Sequence, residues 1–230
     1  MSATGRNLTE RAPFDYYPTP AWCVRRLLDA DPSILRTRTI LEPCAGDGAI
    51  IRALRGRTFP TPTLDDPAPS VCAWEIQERF RSLLTECASD VIIGDSLKIA
   101  RDARELGIRF DIALTNPPFG IAMEMLQALW PICDRIVFLL RMPFLASEVR
   151  QAWVRAHVPD LYVLPNRPIF HRGQSDNADY AWMSWEPNAP RCQGNVEILD
   201  LTPREERTGQ SRRTDPHDII ASNGRTLRNP

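Results

Sequence analysis

FDIALTNPPFG, residues Phe110 to Gly120, sets six residues of strand character directly against Asn-Pro-Pro-Phe. Proline has no N–H for a sheet ladder and restricts the residue before it, so the strand has to stop at Thr115. Two stiff residues then fix how Asn116 leaves the sheet, and Phe119 follows beside them. The stretch reads as a strand whose carboxyl end carries a rigid polar turn.

The same pattern recurs on both sides of it. Short apolar runs occur at TILEP (39–43), VCAWEI (71–76), DVIIGD (90–95), RIVFLL (135–140) and DLYVLP (160–165). Between several of them lie segments of helical spacing: AIIRALRG, QERFRSLLTEC, IAMEMLQALW and SEVRQAWVRAH. Strands alternating with helices predict an α/β fold with a mainly parallel sheet covered on both faces. DYAWMSWE (179–186) has no helix before it and predicts an antiparallel strand closing the sheet. Upstream, Thr19-Pro20 reads as the cap and first residue of a helix whose apolar stripe is Trp22, Val24, Leu27 and Leu28.

Composition narrows the function classes. The 230 residues are 43% hydrophobic and 25% charged, which suits one globular domain with a sizeable core. No apolar stretch is long enough to cross a bilayer, and the first residues lack the apolar segment of a secretory signal, so a cytoplasmic location is expected. The six cysteines form no CxxC pair and there are only three histidines, so no metal site is expected. A net charge of −1 announces no global field for nucleic acid. Arg141, Arg150, Arg155, Arg167 and Arg172 do outnumber the acids over 141–173, as either a local basic surface or a solvated face would.

In doubly wound sheets, ligands sit at the carboxyl ends of the strands. Four such ends carry unusual residues here. In LEPCAGDGAI (41–50), Gly46 and Gly48 permit a tight strand-to-helix turn, with or without a ligand above it. In WEI (74–76), Glu75 is either an acceptor for ribose hydroxyls or a solvated strand-end acid. In GDS (94–96), Asp95 either accepts from an adenine amino group or caps a helix. The fourth end is NPPF. There the Asn116 side-chain oxygen and the Pro117 carbonyl can each accept one N–H of an exocyclic amine. Such an amine is a poor nucleophile because its lone pair is delocalised into the ring. Two fixed acceptors favour a pyramidal nitrogen and orient that lone pair.

With these motifs in this order, the sequence resembles the class I S-adenosylmethionine-dependent amino-methyltransferases, in particular the gamma-like adenine-N6 DNA methyltransferases. FDYYPTP (14–20) is similar to the family's leading motif, ILEPCAGDG to its cofactor loop, WEI to its ribose acid, GDS to its adenine-contacting turn and NPPF to its catalytic motif. RPIF (167–170) resembles a later loop that lines the base pocket. The resemblance spans roughly 14–186 and implies a Rossmann-like fold with a seven-stranded, mainly parallel sheet and an antiparallel final strand. It implies S-adenosylmethionine as cofactor, held by Tyr17, Thr19, Pro20, Glu42, Ala45, Gly46, Asp47, Gly48, Glu75, Ile76, Asp95, Ser96 and Asn116. Asn116, Pro117, Pro118 and Phe119 become the catalytic residues, and Phe119, Arg167 and Phe170 the nucleic-acid contacts. The target base would be flipped out of a duplex, with Phe119 stacked on it.

The expected layout is a flexible lead over 1–13, a single methyltransferase domain over 14–202 and a polar, mobile tail over 203–230. Classical members carry a sizeable target-recognition domain. Here only the loops 57–70 and 166–178 and the tail are available, as in short phage- or prophage-type members. DNA is the expected partner. Adenine-N6 or guanine-N2 in RNA, a protein glutamine, and a non-catalytic cofactor-binding module are the alternatives.

Overall fold

The computed structural model describes residues 17–56, 68–170, 178–189 and 194–208. Eight strands form one sheet: β1 (Thr39–Glu42), β2 (Ser70–Glu75), β3 (Asp90–Ile93), β4 (Phe110–Thr115), β5 (Cys133–Arg141), β6 (Asp160–Leu164), β7 (Tyr180–Trp185) and β8 (Val196–Ile198). Their order across the sheet is β3-β2-β1-β4-β5-β7-β6-β8. The pairs β3/β2, β2/β1, β1/β4, β4/β5 and β6/β8 are parallel, whereas β7 runs antiparallel to both β5 and β6. The sheet therefore has one strand more than expected. The antiparallel strand lies inside it, between β5 and β6, rather than at its edge.

The strand residues alternate between two cores. Ile112 and Leu114 of β4, with Val137 and Leu139 of β5, pack on one face. Phe110, Ala113, Ile136, Phe138 and Leu140 pack on the other. Helices α1 (Ala21–Ala30), α2 (Ala49–Arg55) and α3 (Arg81–Thr85) cover the first face. Helices α4 (Ser96–Glu105), α5 (Ala122–Leu129) and α6 (Gln151–Ala156) lie on the second. A last short helix, α7 (Arg204–Thr208), follows β8. Burial on both faces explains why β4 and β5 read as nearly continuous apolar runs.

At the amino end of the sheet, Arg135 of β5 is largely buried. It donates to Asp31 at 2.5 Å and to Ser184 Oγ at 2.9 Å, and the Tyr162 hydroxyl donates to the same Asp31 oxygen at 3.2 Å. Burial raises the Asp31 pKa, but the hydrogen bond from Ser33 and the Arg135 charge outweigh it and hold the carboxyl below its ordinary value. This network ties the end of α1 to β5, β6 and β7, at the edge opposite the site.

The lead over 1–13, the Phe14–Tyr16 part of the first motif, residues 57–67, residues 171–177 and the chain beyond 208 lie outside the described residues. Residues 203–208, expected to belong to the tail, instead include α7. Among the described residues, no helix is long and apolar enough to cross a membrane. No group of three His, Cys, Asp or Glu among them is placed to hold a metal ion.

Candidate active site

Strand order reverses between β1 and β4, and their carboxyl ends open the crevice where such sheets bind ligands. Four loops meet there, and hydrogen bonds join three of them, those after β1, β2 and β3. Ala45 N donates to Trp74 O at 3.0 Å and Gly94 N to Glu75 O at 2.8 Å. The Ser96 hydroxyl donates to Pro43 O. Ser96 thus pins the β3 turn to the β1 loop.

The glycine loop has a physical reason for its composition. Gly46 and Gly48 have φ of +53° and +82°, which L side chains rarely adopt. A Cβ at Gly48 would also lie 2.8 Å from Cys87 Sγ and 3.2 Å from Leu84 Cδ2, so α3 closes against it. Asp47, one residue before the capping Gly48 of the following helix, accepts from Ala49 N at 3.0 Å. Its other oxygen takes Arg52 Nη2 at 2.6 Å, and Arg52 Nη1 also donates to the Asp47 carbonyl. Arg52 escaped the sequence reading. Its spacing from Asp47 carries meaning only once the helix start at Ala49 is known.

Glu75 is buried at 5% exposure, which removes the solvated-acid alternative. Its Oε2 accepts from Gly46 N at 2.7 Å and its Oε1 from Gln77 N at 2.8 Å. It therefore anchors the glycine loop, and its remaining lone pairs are what a ribose would use. Ile76, next in sequence, is 46% exposed at the mouth of the same crevice. Asp95 caps α4 through Oδ1, accepting from Leu97 N at 3.0 Å, so the cap and the adenine readings are compatible, one for each carboxyl oxygen.

Glu42, the last residue of β1, is 2% exposed, and its Oε2 is buried without a hydrogen-bond partner. Burial pushes its pKa well above the ordinary value, with the negative charges of Asp47 and Glu75 adding to the rise against Arg52. A buried unpartnered carboxyl oxygen is costly, and a cationic ligand group is the kind of partner that would satisfy it.

On the other side of the crevice, Asn116 follows the end of β4. Its Nδ2 donates to Thr19 Oγ1 at 3.1 Å, so Thr19 does not cap α1. The capping position is Pro20, whose carbonyl accepts from Cys23 N at 2.9 Å, and the helix proper starts at Ala21. Pro117 is buried and Pro118 exposed, with the Pro118 carbonyl accepting from Ile121 N at 3.0 Å.

The half-buried Phe119 ring joins an aromatic wall. Its centroid is 6.1 Å from that of Tyr180, which lies 5.3 Å from Phe170, which in turn takes Tyr17 edge-on at 6.4 Å. Tyr17, expected at the cofactor, packs edge-on against Phe170 of the RPIF loop. The Arg141 guanidinium lies 4.7 Å above the Phe119 ring and donates through Nε to the Tyr180 hydroxyl at 3.1 Å. Arg141 and Tyr180 escaped the sequence reading as site residues, because only the antiparallel register of β5 on β7 sets them opposite each other. Arg167, expected at nucleic acid, is exposed and pairs with Asp179 at 2.9 Å.

Solved structures share this fold. A presumed RNA methyltransferase from Pyrococcus horikoshii aligns with a TM-score of 0.54 at 19% identity, over 75% of this chain and 87% of that one. A modification subunit of a presumed type I restriction enzyme from Vibrio vulnificus YJ016 aligns with a TM-score of 0.56 at 17% identity, over 93% of this chain. The fold is that of the class I methyltransferases. This chain spans about half of the Vibrio subunit, 54% of its length. The 23S rRNA methyltransferase ErmE aligns with a TM-score of 0.50 at 15% identity, over 86% of this chain and 76% of that one. No protein-family model and no curated protein matches this chain in sequence.

Proposed function

We propose that this chain transfers a methyl group from S-adenosylmethionine to the exocyclic N6 amine of adenine in DNA. The observation that carries the reading is the Asn116–Thr19 hydrogen bond. With the amide nitrogen donating to Thr19, the Asn116 oxygen is the end that faces an incoming amine as an acceptor.

The site fits the cofactor. The unpartnered Glu42 Oε2 matches an ammonium, the positive-φ loop at Gly46 and Gly48 offers close backbone approach, and Ile76 offers an apolar face at the crevice mouth. Glu42 would hold the amino group of the methionine moiety, Glu75 the ribose, and Asp95 and Ile76 the adenine. When bound, S-adenosylmethionine supplies a methyl carbon made electrophilic by a positively charged sulfur. The chain's own residues orient the acceptor. Asn116 and the Pro117 carbonyl accept the two amine hydrogens and hold the nitrogen lone pair away from the ring plane. The prolines keep both acceptors fixed, so little reorganisation is needed as charge develops on nitrogen. Phe119 and Phe170 offer aromatic surfaces for a flipped base.

A transferable amine in RNA is the second reading, supported by the Pyrococcus and ErmE likenesses. The FDYYPTP segment ahead of the glycine loop favours DNA. The test is incubation with methyl-labelled cofactor and DNA, RNA or protein, followed by digestion and identification of the labelled product. Label in N6-methyladenosine or N2-methylguanosine of RNA alone would replace the DNA reading with the second one.

A further inference from the structure

Residues 195–202 form a strap along the far edge of the sheet, from β6 to α1. Strand β8 extends the sheet alongside β6, with Leu161 N donating to Asn195 O at 2.8 Å and Leu199 N to Val163 O at 2.9 Å. Leu199 is 5% exposed and enters the core. Thr202 is 2% exposed, and its backbone N–H donates to Asn166 Oδ1 at 2.7 Å. Arg26 of α1 then grips the strap, donating to Thr202 Oγ1 at 3.0 Å and to the Leu201 carbonyl at 3.2 Å.

Two elements meet under this strap, and both serve the acceptor side of the crevice. Helix α1 follows directly from Thr19, the partner of Asn116. Asn166 begins the stretch Asn166-Arg167-Pro168-Ile169-Phe170, whose Phe170 packs on Tyr180 and Tyr17. Pro165 and the buried Pro168 restrict the backbone on both sides of Asn166, so a fixed Asn166 constrains where Phe170 can sit. The glycine loop, Glu75 and Asp95 belong to the opposite half of the sheet.

We propose that Asn166 is a positioning residue for the methyl acceptor: held by the buried N–H of Thr202, it sets the Phe170 loop against α1. The inference rests on the reading that the acceptor is a nucleic-acid base. The strap is part of the acceptor site rather than a passive tail, and it acts without touching the cofactor.

The experiment measures initial rates of labelled methyl transfer to bulk unmethylated duplex DNA and to total RNA, with S-adenosylmethionine affinity followed by calorimetry. Asn166→Ala leaves a buried donor unmatched. The expected result is about a tenfold rise in KM for nucleic acid with cofactor affinity unchanged. Asn166→Asp keeps the acceptor oxygen and should bring KM back toward wild type. Asn166→Ser, whose shorter side chain cannot reach the Thr202 N–H but leaves room for a water to join it, should raise KM in the same direction and is the second variant should Asn166→Ala fail to fold. A KM unchanged in the folded variants, or as high in Asn166→Asp as in Asn166→Ala, overturns the inference while leaving the proposed function intact. A wild-type chain that methylates no nucleic acid defeats the proposed function, and this inference with it.

Discussion

Thr19 and Asn116, 97 residues apart in sequence, are joined by one hydrogen bond from Asn116 Nδ2 to Thr19 Oγ1 at 3.1 Å. Thr19 is 5% exposed, so this is not a surface contact. It links the segment before the first helix to the turn after the fourth strand and fixes which end of the amide faces the crevice. The leading motif thus holds the NPPF turn in place.

That relationship predicts a graded pair of variants. Asn116→Ala removes an acceptor of the amine, and transfer should fall by at least about a hundredfold, by analogy with losing one preorganised polar group at a reacting centre. Thr19→Val keeps the shape and removes only the oxygen that orients the amide, so a smaller loss, about tenfold, is expected. Cofactor affinity, measured by calorimetry, should persist in Asn116→Ala. Lost affinity with transfer intact would reverse the assignment of the residue.

Glu42 predicts a trade between stability and binding. Its carboxyl titrates well above the ordinary glutamate value in the folded protein, because of burial and then the Asp47 charge. The sign follows from linkage. Its stabilising contribution is fully present below the ordinary value and is lost as pH rises from there toward the raised folded-state value. Glu42→Gln removes the titration. The ligand-free variant should lose less stability than wild type across that window in urea unfolding, and it should bind S-adenosylmethionine more weakly. Equal pH profiles for the two proteins would show that Glu42 is not the titrating group.

The Asp31–Arg135 pair predicts the opposite slope. The Asp31 carboxyl is held below its ordinary value, so its contribution is present above that value and disappears as pH falls through the depressed one. Asp31→Asn should cost about 2 kcal/mol at neutral pH, the scale of a hydrogen bond to a charged group. The gap between the two proteins should close in strong acid. Denaturant titrations at pH 7 and in strong acid, below the depressed Asp31 value, check both statements.

Much of this architecture is legible in the residues. All seven apolar runs are strands within a residue or two at each end, and β4 and β5 are the plainest because strands buried on both faces of a sheet leave nearly uninterrupted hydrophobic stretches. Val196–Ile198 was not legible. It is a three-residue edge strand whose side chains are all exposed, so burial imposes no pattern on it. At the site, the positive φ of Gly46 and Gly48 is the tight strand-to-helix turn that the two glycines predict, whereas nothing in the sequence pattern announces the burial of Glu42. Thr19 read as a helix cap because Ser/Thr-Pro is a cap signature, and only the folded chain brings Asn116 to compete for its hydroxyl. Arg141 and Tyr180 become neighbours through strand register, which side-chain alternation alone does not encode.

Phe119 tests the flipped base. If its ring stacks on an extruded adenine, Phe119→Ala removes a contact worth about 1–3 kcal/mol. Extrusion from a duplex costs a few kcal/mol, and less where the target is mispaired. The variant should therefore lose most on matched duplex and recover part of the loss on a duplex mismatched at the target. Initial rates on both substrates decide it. An equal loss on each would mean that Phe119 serves to seat Arg141 and Tyr180 rather than the base.

The central claim is that NPPF methylates adenine N6 in DNA. Its most direct measurement is mass spectrometry of nucleosides from duplex DNA, after incubation with the protein and S-adenosylmethionine carrying a deuterated methyl group. The account predicts deuterated N6-methyladenine in DNA, absent with Asn116→Ala. Deuterated methyl found only in RNA nucleosides or in a protein glutamine, with none in DNA, would contradict it.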